Sequence, residues 1–300
     1  MPHVTFVHGL LNKPPQDVLL AEWLAALRQG GLDLSARGVT SSMVYWADVL
    51  YARPEAEDPA QRGAAPEEDE LLAVGADVVE RAFVAALRRR TEELAEEAIR
   101  EGGATFAAAS ERAVPLPHFL EKILMRRLLR DCHHYLYDAE SRPRPGVTYR
   151  VRREIRQRFV AALRAVPPAA GPHVVVSHSM GTVIAYDCLR HVADTPGVAA
   201  LFTIGSPLGL SEVQDGFGDA WEYDTAYPSA KLALGAWTNV YDRLDPVCGF
   251  DTVLANDYLA DGEETVADVR VSNSGAWRHG IAQYLAQPAV VARLRDRLGL

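Results

Sequence analysis

The stretch Val174-Val175-Val176-Ser177-His178-Ser179-Met180-Gly181 constrains the fold of this 300-residue chain more than any other. Three consecutive β-branched residues read as a strand buried on both faces, the pattern of a central strand in a parallel sheet. A helical pattern begins at once, over 180–193. A buried strand that turns straight into a helix is part of a βαβ unit, so an α/β layer structure is expected. Further strands are expected at His3–Val7, Val39–Trp46, Val198–Ile204, Thr238–Tyr241 and Val266–Val271. Asp17–Gln29 places Leu20, Trp23, Leu24 and Leu27 at helical spacing and stops at Gly30-Gly31. One or two helices are expected over 279–298, and loops over 206–235. The fold class is therefore α/β, with a mostly parallel sheet of about six strands and helices on both faces.

The alternation breaks in the middle of the chain. Trp46 and Val174 lie more than 120 residues apart, whereas a crossover between parallel strands needs only a dozen or more. Residues 52–70 are rich in Pro, Glu and Asp and read as a solvated loop. Two long amphipathic helices are expected over 69–101 and 117–138. Ser141–Gly146 reads as a break, and 148–165 as a crossover helix. This divides the chain into a core, 1–51 and 146–300, and a helical insertion, 52–145. The insertion leaves from the sheet edge where strands end, so it is expected to cap a pocket, or else to act as a dimerisation or partner-binding arm.

Composition removes several classes. The net charge is −9, which counts against nucleic-acid binding. Much of that acidity belongs to the insertion, with 19 of the 40 acidic residues in 52–144, so it says little about the substrate. Cys132, Cys188 and Cys248 are far apart and form no C-x-x-C pair, so neither a disulfide framework nor a zinc site is expected. Adjacent helical positions in Cys132-His133-His134 point in different directions, which does not suit a metal site. Asp215-Gly216-Phe217-Gly218-Asp219 lacks the length and spacing of a calcium loop and reads as a flexible loop near the site. No run of about 18 apolar residues suggests a membrane span. The opening MPHVTFVHGL lacks a basic and a long apolar region, so no secretory leader and a cytoplasmic location are expected.

The chemistry concentrates at expected strand ends. Ser179 stands where a strand turns sharply into a helix, a position that lifts a hydroxyl above the sheet edge. Small residues are needed around such a turn; Gly181 supplies one, and Ser177 stands where glycine is the commoner choice. A serine hydroxyl needs a base and a group to orient that base. Asp245 follows one strand and His279 a later one, giving the order Ser, Asp, His. His8, His173, His178 and His191 are rival bases. His8 is expected to brace the loop after the first strand, and the His178 side chain to point away from the nucleophile. Asp242 and Asp251 are rival acids, with Asp242 suited to capping a turn. His8-Gly9-Leu10 closes the first strand, so the backbone N–H groups of Leu10 and Met180 form a natural oxyanion pair, with Gly9 letting the backbone approach.

These elements together resemble the α/β-hydrolase superfamily, in its lipase/esterase-like branch. The matching stretches are Phe6-Val7-His8-Gly9-Leu10, His178-Ser179-Met180-Gly181-Thr182, Ile204-Gly205-Ser206-Pro207, Asp245-Pro246-Val247, and His279 with Tyr284 five residues on. They cover residues 1–50 and about 148–300, not the middle. The resemblance implies Ser179 as nucleophile, His279 as base, Asp245 as acid, and Leu10 and Met180 as oxyanion donors, supported by His8, Gly9, His178 and Gly181. Many members carry extra antiparallel strands before the His-Gly strand; here a trimmed sheet is expected.

The expected activity is hydrolysis of a carboxylic ester, small or lipid-like, through an acyl-enzyme, with no metal and no cofactor. The same groups suit a thioesterase, an amidase or an acyltransferase. The alternative from another class is a non-catalytic hydrolase-like scaffold that binds a partner, or a second copy of itself, through the insertion.

Overall fold

The computed structural model describes residues 1–56, 130–167, 171–218, 221–245, 247–248, 251–274 and 278–300. Its strands are β1 (His3–Val7), β2 (Thr40–Val44), β3 (Glu140–Arg144), β4 (Val147–Arg150), β5 (His173–His178), β6 (Ala200–Ile204), β7 (Trp237–Tyr241) and β8 (Ala267–Arg270). Its helices are α1 (Gln16–Gln29), α2 (Val151–Arg164), α3 (Met180–His191), α4 (Ser211–Asp215), α5 (Ile281–Leu285) and α6 (Pro288–Leu298). Residues 130–136 are also helical. The expected helix over 69–101, most of that over 117–138, and the expected loop beyond residue 56 lie outside the described residues.

Six strands form one sheet in the order β2-β1-β5-β6-β7-β8, and every neighbouring pair is parallel. Alternation within the strands builds two cores. Val4, Phe6, Val174, Val176, Ala200 and Phe202 face one side, where α1 and α6 bury Trp23, Leu27, Val290 and Leu294. Val7, Val175 and Leu201 face the other, against Ile155 and Phe159 of α2 and Val183 and Ile184 of α3. An all-parallel sheet with apolar residues on both faces needs helices on both sides, which is what α1 to α3 and α6 provide.

The order of strands places the functional edge. From β1 the chain steps through α1 to β2 in one direction; from β5 it steps through α3 to β6 in the other. The helices after β1 and β5 therefore diverge to opposite faces and leave a crevice above the ends of these two neighbouring strands. His8-Gly9-Leu10 and His178-Ser179 occupy that crevice.

One expectation fails at 141–150. In place of a break and an early helix start, Glu140–Arg144 and Val147–Arg150 pair as an antiparallel hairpin, and α2 begins at Val151. The turn runs through Pro145-Gly146, with Gly146 at φ 75°. The hairpin alternates between exposed and half-buried positions and has no fully buried face, so it lacks the apolar periodicity by which strands are recognised. Pro143 is tolerated because a two-stranded ribbon is all edge. The hairpin spans the boundary expected at 145/146. No described helix is long and apolar enough to cross a membrane.

Candidate active site

Ser179 lies at φ 54°, ψ −129°, between the end of β5 and the start of α3. A residue with a side chain holds a left-handed φ only where its surroundings fix it. Here the Ser179 N–H donates to the Ile204 carbonyl at 2.9 Å. Its own carbonyl accepts from the Thr182 N–H at 2.9 Å and from Thr182 Oγ1 at 2.6 Å. The turn leaves no room for larger neighbours. A Cβ on Gly181 would stand 2.4 Å from the Val7 carbonyl oxygen, and one on Gly9 would stand 2.6 Å from Ser179 Cβ. Ser177 fits at the first small position because it is fully buried with its hydroxyl donating to the Phe202 carbonyl at 2.7 Å.

His279 and Asp245 meet across the ends of the later strands. His279 Nδ1 lies 2.9 Å and 2.8 Å from the two carboxylate oxygens of Asp245. With Nδ1–H donating there, Nε2 is left with a lone pair, the arrangement a general base requires. Asp245 is buried and also accepts from Tyr284 Oη at 2.6 Å and from the Val247 N–H at 2.8 Å. Burial works against its ionisation, but His279, Tyr284 and the Val247 N–H outweigh it and hold the carboxyl down at about 2.

Asp242 has a different task. It accepts from the Leu244 N–H at 2.9 Å, the Asn273 N–H at 2.7 Å and Arg278 Nη1 at 3.3 Å. It thus caps its own turn and tethers the loop that carries His279. Asp251 packs beside Gly209. Between the two halves of the site stands Gly205, at φ 55°, where a Cβ would lie 3.1 Å from Asp245 Oδ2 and from His279 Nδ1 and Cε1.

His8 and His178 flank Ser179. His8 Nδ1–H donates to the Gly9 carbonyl at 2.8 Å, its Nε2 accepts from the Trp46 N–H at 3.0 Å, and its ring stacks on Trp46 at 4.8 Å. Burial, aided by the charge of Lys13, lowers its pKa to about 3, so the ring is neutral. His178 departs from expectation. Its ring turns toward the site and lies 4.5 Å from that of His279, and its Nε2–H donates to the His279 carbonyl at 2.9 Å. Burial and the neighbouring His279 keep it well below the usual imidazole range. His178 continues the β5 alternation on the side of Val174 and Val176, which turns its ring toward Trp23 of α1 and toward His279.

Leu10 and Met180 are buried beside these groups. Among the described residues, no backbone or side-chain acceptor takes the N–H of either. Ser179, His178, His279, Gly9 and Leu10 line one cavity of ≈ 270 Å³. Leu11, Leu19, Trp23, Val247 and Ile281 form its apolar walls, and Lys13, Glu22 and Glu55 also border it. A wider hollow of ≈ 430 Å³ at the hairpin, lined by residues 142–148, contains no nucleophile or base.

His173 lies at the opposite end of β5, with Nε2 2.8 Å from Thr5 Oγ1. His191 sits at the end of α3 beside Asp187. Cys132 is buried, with Sγ 3.1 Å from Met180 Sδ. Asp215 ends α4, and Phe217 is buried against the Tyr186 ring at 5.1 Å, so this stretch is anchored to the core at Phe217. Tyr284 and Gly205 bear on the site through signals present in the sequence, an aromatic five residues past His279 and a glycine at a strand end. No protein-family model matches the chain, and neither does any curated protein.

Proposed function

We propose that this chain is a cofactor-independent serine hydrolase of the α/β-hydrolase fold that cleaves carboxylic esters. One observation carries the reading. His279 is bonded through Nδ1 to the buried Asp245 carboxylate, in the same cavity as a serine held at φ 54° on a strand–helix turn. Ser179 Oγ attacks the acyl carbon while His279 Nε2 takes its proton. Asp245 fixes the ring orientation and stabilises the imidazolium. The developing oxyanion meets two N–H groups, those of Leu10 and Met180, and the N-terminal end of α3 favours negative charge at the same place. His279 then returns the proton to the leaving alkoxide. Water, activated by the same ring, cleaves the acyl-enzyme.

The apolar walls support a substrate with a short hydrocarbon acyl group. The chain that leads toward residue 57 borders the cavity at Glu55. The test is labelling with a fluorophosphonate, comparing wild type with Ser179→Ala, followed by rates on a p-nitrophenyl ester series of increasing chain length. A stoichiometric adduct that vanishes in S179A, with highest kcat/KM for short acyl chains, is expected. Absence of a Ser179-dependent adduct on folded protein removes the hydrolase reading.

A further inference from the structure

His279 is held at its ring and at its backbone. The ring is fixed through Nδ1, which donates to Asp245. That bond sets the plane of the ring but leaves the backbone beneath it to be placed by other contacts. The backbone carbonyl of His279 accepts from His178 Nε2–H at 2.9 Å, across 101 positions. His178 is the residue before Ser179, so a single hydrogen bond joins the chain that carries the nucleophile to the residue that serves as base. The loop behind His279 is anchored separately. Asn273 Nδ2 donates to the Arg278 carbonyl at 2.7 Å, and Arg278 Nη1 meets Asp242 at 3.3 Å.

The His178 ring is itself firmly seated. It is 8% exposed, lies edge-on to Trp23 at 6.2 Å, and sits 4.5 Å from the His279 ring at 33°. Beside its Nδ1 stands Gly9, where a Cβ would lie 3.2 Å away. Among the described residues the side chain makes one hydrogen bond, and it goes to the His279 carbonyl. Burying an imidazole costs free energy, and this ring offsets that cost at one place. The chemical type of the donor also matters. An ammonium or guanidinium group could hold the same carbonyl, but it would set a positive charge against the imidazolium that forms on His279 during the reaction. A neutral His178 ring donates without that penalty.

We propose that His178 is a positioning residue for the base: its Nε2–H holds the His279 carbonyl, which fixes the His279 backbone relative to the Ser179 turn and so the approach of His279 Nε2 to the nucleophile hydroxyl. The proposal rests on the serine hydrolase reading. It makes the spacing of nucleophile and base depend on one bond made by the last residue of β5.

Three variants test it. His178→Gln keeps an amide N–H as many bonds from Cα as Nε2 is; His178→Asn carries the same amide one bond short of that reach; His178→Phe keeps a ring and has no donor. The readouts are kcat and KM on a short p-nitrophenyl ester, the rate of fluorophosphonate labelling at Ser179, and thermal unfolding. H178N and H178F are expected to lose about 10- to 100-fold in kcat and in labelling rate, with KM within about twofold, as for a misplaced base. H178Q is expected to stay within about threefold of wild type. A purely space-filling role reverses the ranking of H178Q and H178F, since phenylalanine replaces the ring and glutamine does not. Wild-type kcat in folded H178N or H178F overturns the positioning role and leaves the hydrolase reading intact. So does an H178Q that is as slow as they are or fails to fold. Where neither H178N nor H178F folds, H178Q alone decides: a loss within about threefold supports the role, and a larger one overturns it. A wild type without a Ser179-dependent adduct overturns both.

Discussion

Tyr284 Oη donates to Asp245 Oδ2 at 2.6 Å, while the same carboxylate receives His279 Nδ1 at 2.8 Å. The phenol also accepts from the Asp242 N–H at 3.1 Å, so one ring, itself fully buried, joins the acid of the site to the tether of the His279 loop. A hydrogen bond to a buried carboxylate contributes about 1.5–3 kcal/mol. Tyr284→Phe is expected to destabilise the protein by about that amount in urea unfolding. It is also expected to lower kcat by about 3- to 30-fold at unchanged KM, because His279 is then oriented by a less constrained carboxylate. A kcat equal to wild type would separate Tyr284 from the chemistry.

His8 gives the protein a pH dependence of predictable sign. Burial lowers its pKa to about 3, against about 6.5 for an unfolded histidine. The unfolded chain therefore binds this proton and the folded chain does not over the interval between these values. The contribution of neutral His8 is fully present above pH about 6.5 and is lost as pH falls toward 3. One such proton gives a slope of about 1.4 kcal/mol per pH unit. Replacing His8 by Gln is expected to flatten the dependence of unfolding free energy on pH between 6 and 4 by about that slope. Parallel curves for wild type and variant would refute the burial of an uncharged ring.

How far the site is legible in the sequence depends on the range of the interaction. Ser179, Asp245 and His279 can be read because each follows a strand, and a parallel sheet brings strand ends to one edge whatever the details of the loops. The inner strands can be read for a related reason, since Val174–Val176 and its counterparts in β1 and β6 form buried runs that only a doubly covered sheet hides, whereas the edge strands β2 and β8 are partly exposed. The hairpin at 140–150 has no buried face to leave a pattern, and so reads as a break. His178 follows the β5 alternation, and its approach to His279 comes from a residue 101 positions away. Tyr51 meets Asp131 across 80 positions, and no local pattern marks such a contact.

Glycine positions test the turn geometry directly. At Gly181 an added Cβ meets the Val7 and His8 carbonyl oxygens at 2.4 and 2.6 Å, and neither is part of a side chain that can swing aside. Gly181→Ala is expected to cost about 3 kcal/mol or more, comparable with other overpacked or strained sites. Gly205→Ala combines a left-handed φ with contacts at 3.1 Å to Asp245 and His279. Its stability loss is expected to be smaller, about 1–2 kcal/mol, while kcat falls more steeply because the added methyl bears on the pair itself. Thermal unfolding together with single-turnover acylation distinguishes the two. A stable, fully active G181A would contradict the turn described for Ser179.

Asp187 gathers a cluster of charged partners away from Ser179. It lies on α3, fully buried, and receives Tyr135 Oη at 2.6 Å, Arg152 Nη2 at 2.7 Å, Arg156 Nη2 at 2.7 Å and His191 Nδ1 at 3.1 Å. Burial opposes its ionisation, and His191, Arg156 and Arg152 outweigh burial, holding the carboxyl far below its usual range. It therefore ties α2, α3 and the helical stretch 130–136 to one point on the helix that follows Ser179. Breaking a buried pair by removing one partner costs about 3–5 kcal/mol. Here the arginines are partly exposed and can turn to water, so Asp187→Ala is expected at the lower end, about 2–4 kcal/mol. Asp187 is eight residues along the helix from Ser179, about 12 Å at 1.5 Å per residue. The fraction that remains folded is thus expected to keep wild-type kcat. A variant that unfolds as wild type does would show that the arginines and tyrosine are satisfied without Asp187. One that folds but loses kcat would show that the anchor behind α3 sets the nucleophile's position.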